Sequence, residues 1–134
     1  MRKQVIAATL ALLISAGNVS AQEIEKNDTP KYTVFSAAVF KDKYKSTNLL
    51  IDVREPSLFA KWHLKGAINL IIANASLPGV LKNRKREDNV YVYAEAITAA
   101  AQAADLLTNA GFLNVYILEG KYSELVKLGM LEVK

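Results

Sequence analysis

Five short apolar runs, at residues 32–35, 48–53, 67–72, 90–93 and 115–118, are separated by stretches of helical patterning, and this alternation restricts the fold more than any other feature. Each run is too short to be a helix and is bounded by turn-formers. Lys45-Ser46-Thr47 precedes the second run, and Arg54-Glu55-Pro56 follows it. No two runs are joined by a two-residue hairpin turn, so the strands pair in parallel and the chain crosses over between them. The expectation is an α/β domain with a mostly parallel central sheet, helices on both faces and right-handed crossovers.

The helical stretches support this. Ser36 is an N-cap candidate before Ala37, Phe40 and Tyr44, which fall at helical spacing. Pro56 suits the first turn of a helix whose apolar side is Leu58, Phe59 and Trp62. In the stretch 94–110, Ala100, Ala103, Ala104, Leu107 and Gly111 share one face while Thr98, Gln102, Asp105 and Asn109 share the other. Gly111 caps that helix, and residues 122–128 form a short closing one. Residues 76–79 punctuate the chain, and 82–88 form a charged connection.

The amino end has a different pattern. Arg2 and Lys3 precede an apolar stretch at 5–16 that is too short to span a bilayer, and Val19-Ser20-Ala21 has the small residues that a signal peptidase reads. The expectation is a signal peptide over 1–21, cleaved after Ala21, then a flexible lead-in at 22–31 and one domain over 32–134, located in the periplasm or secreted. Cleavage takes two cations from the net charge of +4 and leaves 15 basic against 13 acidic residues, a balance that offers no case for nucleic acid. The chain has no cysteine. It therefore has no acceptor for a lipid anchor and no disulfide, and an apolar share of 51% must supply the stability.

Ligands of parallel sheets bind at the carboxyl ends of the strands, which makes the loops after residues 53 and 93 the places to inspect. Asp52 and Arg54 stand at the first of these, suited either to hold a substrate or to pair with each other and shape the fold. His63 is the only histidine, so without cysteine a zinc site has too few ligands and a structural hydrogen bond is the expectation. Lys82-Asn83-Arg84-Lys85-Arg86 adjoins Glu87-Asp88 and reads as a solvated loop. Trp62 either packs in the core or anchors a partner. No cofactor motif is present.

Leu50-Ile51-Asp52-Val53-Arg54-Glu55-Pro56, then Phe59-Ala60, His63 and Gly66-Ala67-Ile68-Asn69, resemble the first signature of the rhodanese-like domains. Val92-Tyr93, residues 101–107, Ala110-Gly111-Phe112, Asn114-Val115-Tyr116 and Leu118-Glu119-Gly120 resemble the second half of that family. The resemblance implies a sulfurtransferase fold in which a cysteine directly after the strand ending at Tyr93 carries a persulfide between a donor such as thiosulfate and an acceptor. It also makes Asp52, Arg54, His63 and Gly66 structural motif positions.

The loop itself departs from the family pattern. Where the family has cysteine, arginine, any residue, glycine, any residue, arginine, then serine or threonine, this chain has Ala94, Glu95, Ala96, Ile97, Thr98, Ala99 and Ala100. Ala94 has no ionisable proton, so persulfide chemistry by that route is impossible. Glu95 and Ala99 remove two cations and add an anion, which repels a dianionic donor. Ile97 replaces a glycine, and a β-branched residue resists positive φ. Thr98 has no recognisable activating base, and nothing in the sequence fixes a separation that would make Glu95 and Asp52 an acid/base pair. The expectation is an inactive rhodanese-fold protein that binds an unidentified periplasmic protein through Glu95, Ile97, Thr98 and Trp62. The alternatives are residual sulfurtransferase activity or another reaction in the same cleft.

Overall fold

The central strands are buried at consecutive positions, so the sheet is covered on both faces. In the computed structural model, which describes residues 31–134 except Ala75, five parallel strands form one sheet. The expected leader, its cleavage point and all but the last residue of the lead-in lie outside the described residues. The strands are β1 (Thr33–Phe35), β2 (Leu49–Asp52), β4 (Ala67–Asn69), β5 (Asn89–Tyr93) and β6 (Asn114–Leu118), in the spatial order β1-β6-β5-β2-β4. Every pairing in this sheet is parallel, as the absence of hairpin signals requires.

Successive side chains in a strand point to opposite faces. Leu49, Ile51, Val90, Val92, Val115 and Ile117 therefore meet helix α4 (Ile97–Asn109) through its Ala100, Ala103, Ala104 and Leu107. Three alanines in that stripe let the helix lie close on the sheet, and all four residues are fully buried. The chain leaves α4 at Gly111, whose φ of +103° only glycine adopts without strain. The Gly111 amide donates to the Thr108 carbonyl at 3.0 Å and the Phe112 amide to the Leu107 carbonyl at 3.1 Å, which completes the cap.

The other face carries Leu50, Tyr91, Tyr93 and Leu118. It is covered by α1 (Ala37–Lys43) through Phe40 and by α5 (Tyr122–Lys127) through Tyr122 and Leu125. Ser36 caps α1 as expected, its hydroxyl accepting from the Val39 amide. Aromatic rings run across this face in a row. Phe35 stacks on Tyr116 at 5.2 Å between centroids, Tyr116 meets Tyr91 at 5.0 Å, and Tyr91 meets Tyr44 edge-on at 5.6 Å.

Four expectations need correction. The strand expected over 67–72 ends at Asn69 and gives way to a 3-10 turn, Ile72–Asn74. Its partner β2 ends at Asp52, so only one more bond, from the Leu70 amide to the Asp52 carbonyl, is available. The helix expected from residue 94 begins at Ile97, because Ala94 continues the buried line of β5 and its carbonyl accepts from the Tyr122 amide. A one-turn helix, α3 (Gly79–Lys82), buries Leu81 where a loop was expected. The connection at 82–86 is more than a solvated loop, since the Arg86 guanidinium lies 4.6 Å from the Phe112 ring and Arg86 donates to the Arg84 carbonyl.

A second sheet, unforeseen, pairs β3 (His63–Leu64) with β7 (Glu132–Val133) antiparallel. The helix before it, α2 (Pro56–Lys61), starts at Pro56 as expected. No described helix is long and apolar enough to cross a membrane.

Candidate functional site

The carboxyl ends of β2 and β5 lie side by side, with Asp52 registered against Tyr93, so the residues that follow them converge. Asp52 is fully buried, and its carboxylate accepts from four donor atoms. They are the Arg54 amide nitrogen at 2.8 Å, Arg54 Nε and Nη2 at 3.1 and 2.8 Å, and the Tyr93 hydroxyl at 2.6 Å. A carboxylate in an apolar core is tolerable only when its lone pairs are used in this way.

Arg54 is equally constrained. Its Nη2 also donates to the Trp62 carbonyl at 2.6 Å, and its guanidinium carbon sits 3.7 Å from the centre of the Tyr122 ring. Burial alone would lower the Arg54 pKa, but hydrogen bonding and the charge of Asp52 overcome it and raise the value. Tyr93 has its pKa pushed far up, first by burial and then by the Asp52 carboxylate. Tyr122 moves the same way, by burial and by its hydrogen bond to the Glu132 carboxylate. Both phenols are therefore neutral hydrogen-bond donors to the carboxylates beside them.

Asn69 completes the floor by donating from Nδ2 to the Asp52 and Arg54 carbonyls at 2.9 and 3.0 Å. The structure thus places Asp52 and Arg54 as a paired, shape-giving unit. His63 holds its helix end, with Nδ1 2.8 Å from the Phe59 carbonyl and its ring stacked on Phe59 at 3.8 Å. Gly66 turns the chain from β3 into β4 with φ +90°.

Above this floor runs the loop from Ala94 to the start of α4. Ala94 is 1% exposed, and its methyl group is directed into the apolar layer. Ile97 takes the first helical position and is 38% exposed. Thr98 and Ala96 are also exposed, whereas Ala99 is half-buried and Ala100 is buried. No side chain caps this helix end, since Ala96 stands at the cap. Ala96 is extended, with φ −145° and ψ 147°, and the positive-φ glycines of the described chain, Gly66, Gly111 and Gly129, all lie outside this loop. Glu95 reaches Arg54 at 3.9 Å with a side chain half in solvent, a contact of little energetic weight that still sets an anion beside the buried cation.

Beside the loop lies a shallow cleft of about 270 Å³ whose walls include Arg54, Pro56, Ile71 and Ile72. The 3-10 turn that carries Ile72 packs against α4, and Arg54 on the cleft wall is the residue that Glu95 reaches, so the cleft adjoins the loop. Trp62 is not brought into it. Its ring is 46% exposed and covered in part by the Lys134 ammonium at 4.9 Å. Among the described residues no group of acidic or histidine side chains is arranged to hold a metal ion. Tyr122 and Glu132 were not singled out in the sequence, and Tyr93 and Asn69 stood there only as parts of the family signatures. All four act through contacts with distant segments.

Comparison with known proteins agrees with this geometry. The chain is 30% identical over 124 residues to a Bacillus subtilis protein described only as uncharacterized protein YqhL, covering 90% of this chain and 87% of that one. It is 30% identical over 105 residues to thiosulfate sulfurtransferase 16, chloroplastic, of Arabidopsis thaliana, covering 71% and 88%. The crystal structure of a rhodanese-related protein from Thermoplasma volcanium superimposes with a TM-score of 0.61 at 25% identity, over 76% of this chain and 98% of that one. The rhodanese-like domain family matches residues 36–128. A parallel five-stranded sheet, a closed Asp52–Arg54 floor and a match that spans the loop but finds no cysteine there lead to one assignment: the chain belongs to the rhodanese-like domain family.

Proposed function

We propose that the protein is an exported, catalytically inactive rhodanese-fold domain that binds a protein partner through the surface made by Glu95, Ile97, Thr98 and the adjoining cleft. One observation carries this reading. The loop that should present a reactive thiol instead buries the Ala94 methyl at 1% exposure and turns the Ile97 side chain outward at 38%. An inward methyl does no chemistry, whereas an outward isoleucine offers apolar surface that a partner can cover. Arg2-Lys3, the apolar stretch at 5–16 and Ala21 support export to the periplasm.

A photo-crosslinking side chain placed at Ile97 is expected to trap one partner in cells, and Ile97→Arg is expected to abolish binding of that purified partner without changing the unfolding midpoint. The Arabidopsis relative's name makes thiosulfate:cyanide transfer the activity to assay on the same preparation. No transfer is expected, and measurable transfer would overturn the inactive reading. Mass spectrometry of secreted material should show a chain that begins at Gln22.

A further inference from the structure

A second concave surface lies at the other end of the sheet. Tyr44 and Ser46 precede β2 and Gly66 precedes β4, so these residues mark the amino ends of the strands, across the sheet from the loop at Ala94. Together with Leu64, Lys65, Met130 and Leu131 they enclose a groove of about 470 Å³. That volume lies within the range of small-molecule sites and exceeds the 270 Å³ cleft beside the loop. Leu131, on its wall, is 68% exposed, the largest exposure recorded for a big apolar side chain in the described chain. The unbranched Met130 beside it can adapt its shape to an occupant.

The side-chain polar groups that line the groove are the Tyr44 and Ser46 hydroxyls and the Lys65 ammonium, with no carboxylate among them. Lys65 stands on the wall, while Lys43 and Lys45 flank Tyr44 in the chain. Among the described residues none of the three has a carboxylate within ion-pair distance, and Lys45 Nζ reaches only the Asp42 carbonyl at 3.3 Å. The nearest acidic side chain along β7, Glu132, is taken by the Tyr122 hydroxyl. Tyr44 lies against Gly66, its hydroxyl 3.6 Å from where a side chain there would begin. Burial alone raises its pKa, with no hydrogen bond contributing, so the phenol is a protonated donor without a partner among the described residues. An apolar trough with a lysine outside any ion pair among the described residues and a hydroxyl donor matches an occupant with an apolar body and an anionic head.

We propose that this groove binds a single small amphipathic carboxylate, with its hydrocarbon chain along Leu64, Met130 and Leu131 and its carboxylate at Lys65 and the Tyr44 hydroxyl. A concave trough walled by Met130 and Leu131 as well as by Tyr44 suits one chain better than a flat bilayer surface. The proposal is independent of partner binding at Ile97.

The test is an amide-resolved NMR titration of the full protein with sodium octanoate, run beside 1-octanol and phosphatidylglycerol vesicles. Octanoate is expected to saturate with a dissociation constant on the order of 0.1–1 mM and to shift the amides of Lys65, Gly66 and Leu131. Octanol should bind about fivefold more weakly, since it keeps the chain and lacks the charge. Lys65→Glu and Leu131→Glu, both at exposed positions, should each weaken octanoate about tenfold while leaving the spectrum of the fold intact. Any of four results would overturn the proposal: no saturation by about 10 mM, equal binding of octanol, shifts centred on Ile71 and Ile97, or vesicle binding without octanoate binding.

Discussion

The floor of the family cleft and the loop above it sit within a few ångströms of each other, yet they have very different chemistry. In the floor, Asp52, Arg54, Tyr93 and Asn69 use almost every polar atom they have on one another. In the loop, Ala94, Ala96 and Ile97 make no side-chain hydrogen bond, and Glu95 touches Arg54 only at 3.9 Å. The contrast teaches that the floor belongs to the fold. Its charges are buried and hold each other, so losing one leaves another stranded, whereas the loop can exchange reactive groups for methyl groups without exposing a buried charge.

The largest test of that division is Asp52→Ala. It leaves the buried Arg54 guanidinium with only the half-exposed Glu95 carboxylate at 3.9 Å, and urea denaturation should show a loss of about 3–5 kcal/mol. A loss below about 1 kcal/mol would mean that Glu95 swings in to replace it, and would blur the line between floor and loop. Tyr93→Phe removes the hydroxyl that donates to Asp52 and accepts from the Leu64 amide at 3.0 Å. Its expected cost is smaller, about 1–3 kcal/mol, measured in the same way.

Alkaline pH probes the floor without mutation. Tyr93 and Tyr122 have pKa values raised by folding, so each stabilises the folded state fully below the unfolded tyrosine value of about 10 and loses that contribution as pH rises through and beyond it. Stability should therefore fall above about pH 10, and the fall should be shallower in Tyr93→Phe when unfolding midpoints are compared across pH. In the loop, by contrast, Ile97→Arg should change stability by no more than about 0.5 kcal/mol, and a larger loss would show that the isoleucine is packed into the fold. The smallest expected change is in activity. Ala94→Cys supplies a thiol but leaves Glu95, Ile97 and Ala99 in place, so thiosulfate:cyanide transfer should stay at background.

Much of this arrangement was legible in the residues. The helical stripe of Ala100, Ala103, Ala104 and Leu107 is buried as its spacing demanded, and Ser36 caps α1 because its hydroxyl needs only a neighbour three residues away. The pairing of β3 with β7 was not legible, since two-residue strands carry no periodicity and the partners lie at opposite ends of the domain. For the same reason Tyr122 and Glu132 gave no signal, because each matters only through what the fold brings to it. Trp62 could be read either way until its exposure was known.

Local patterning thus determined the strand and helix alternation, the parallel sheet, the helix ends and the loss of the thiol, since each depends on side-chain type and on spacing within a few residues. Tertiary structure alone decided which polar groups became a closed floor, which way Ile97 faces and where an apolar groove meets Lys65. Burial and electrostatic pairing depend on distances between segments remote in the chain, and no local spacing encodes them.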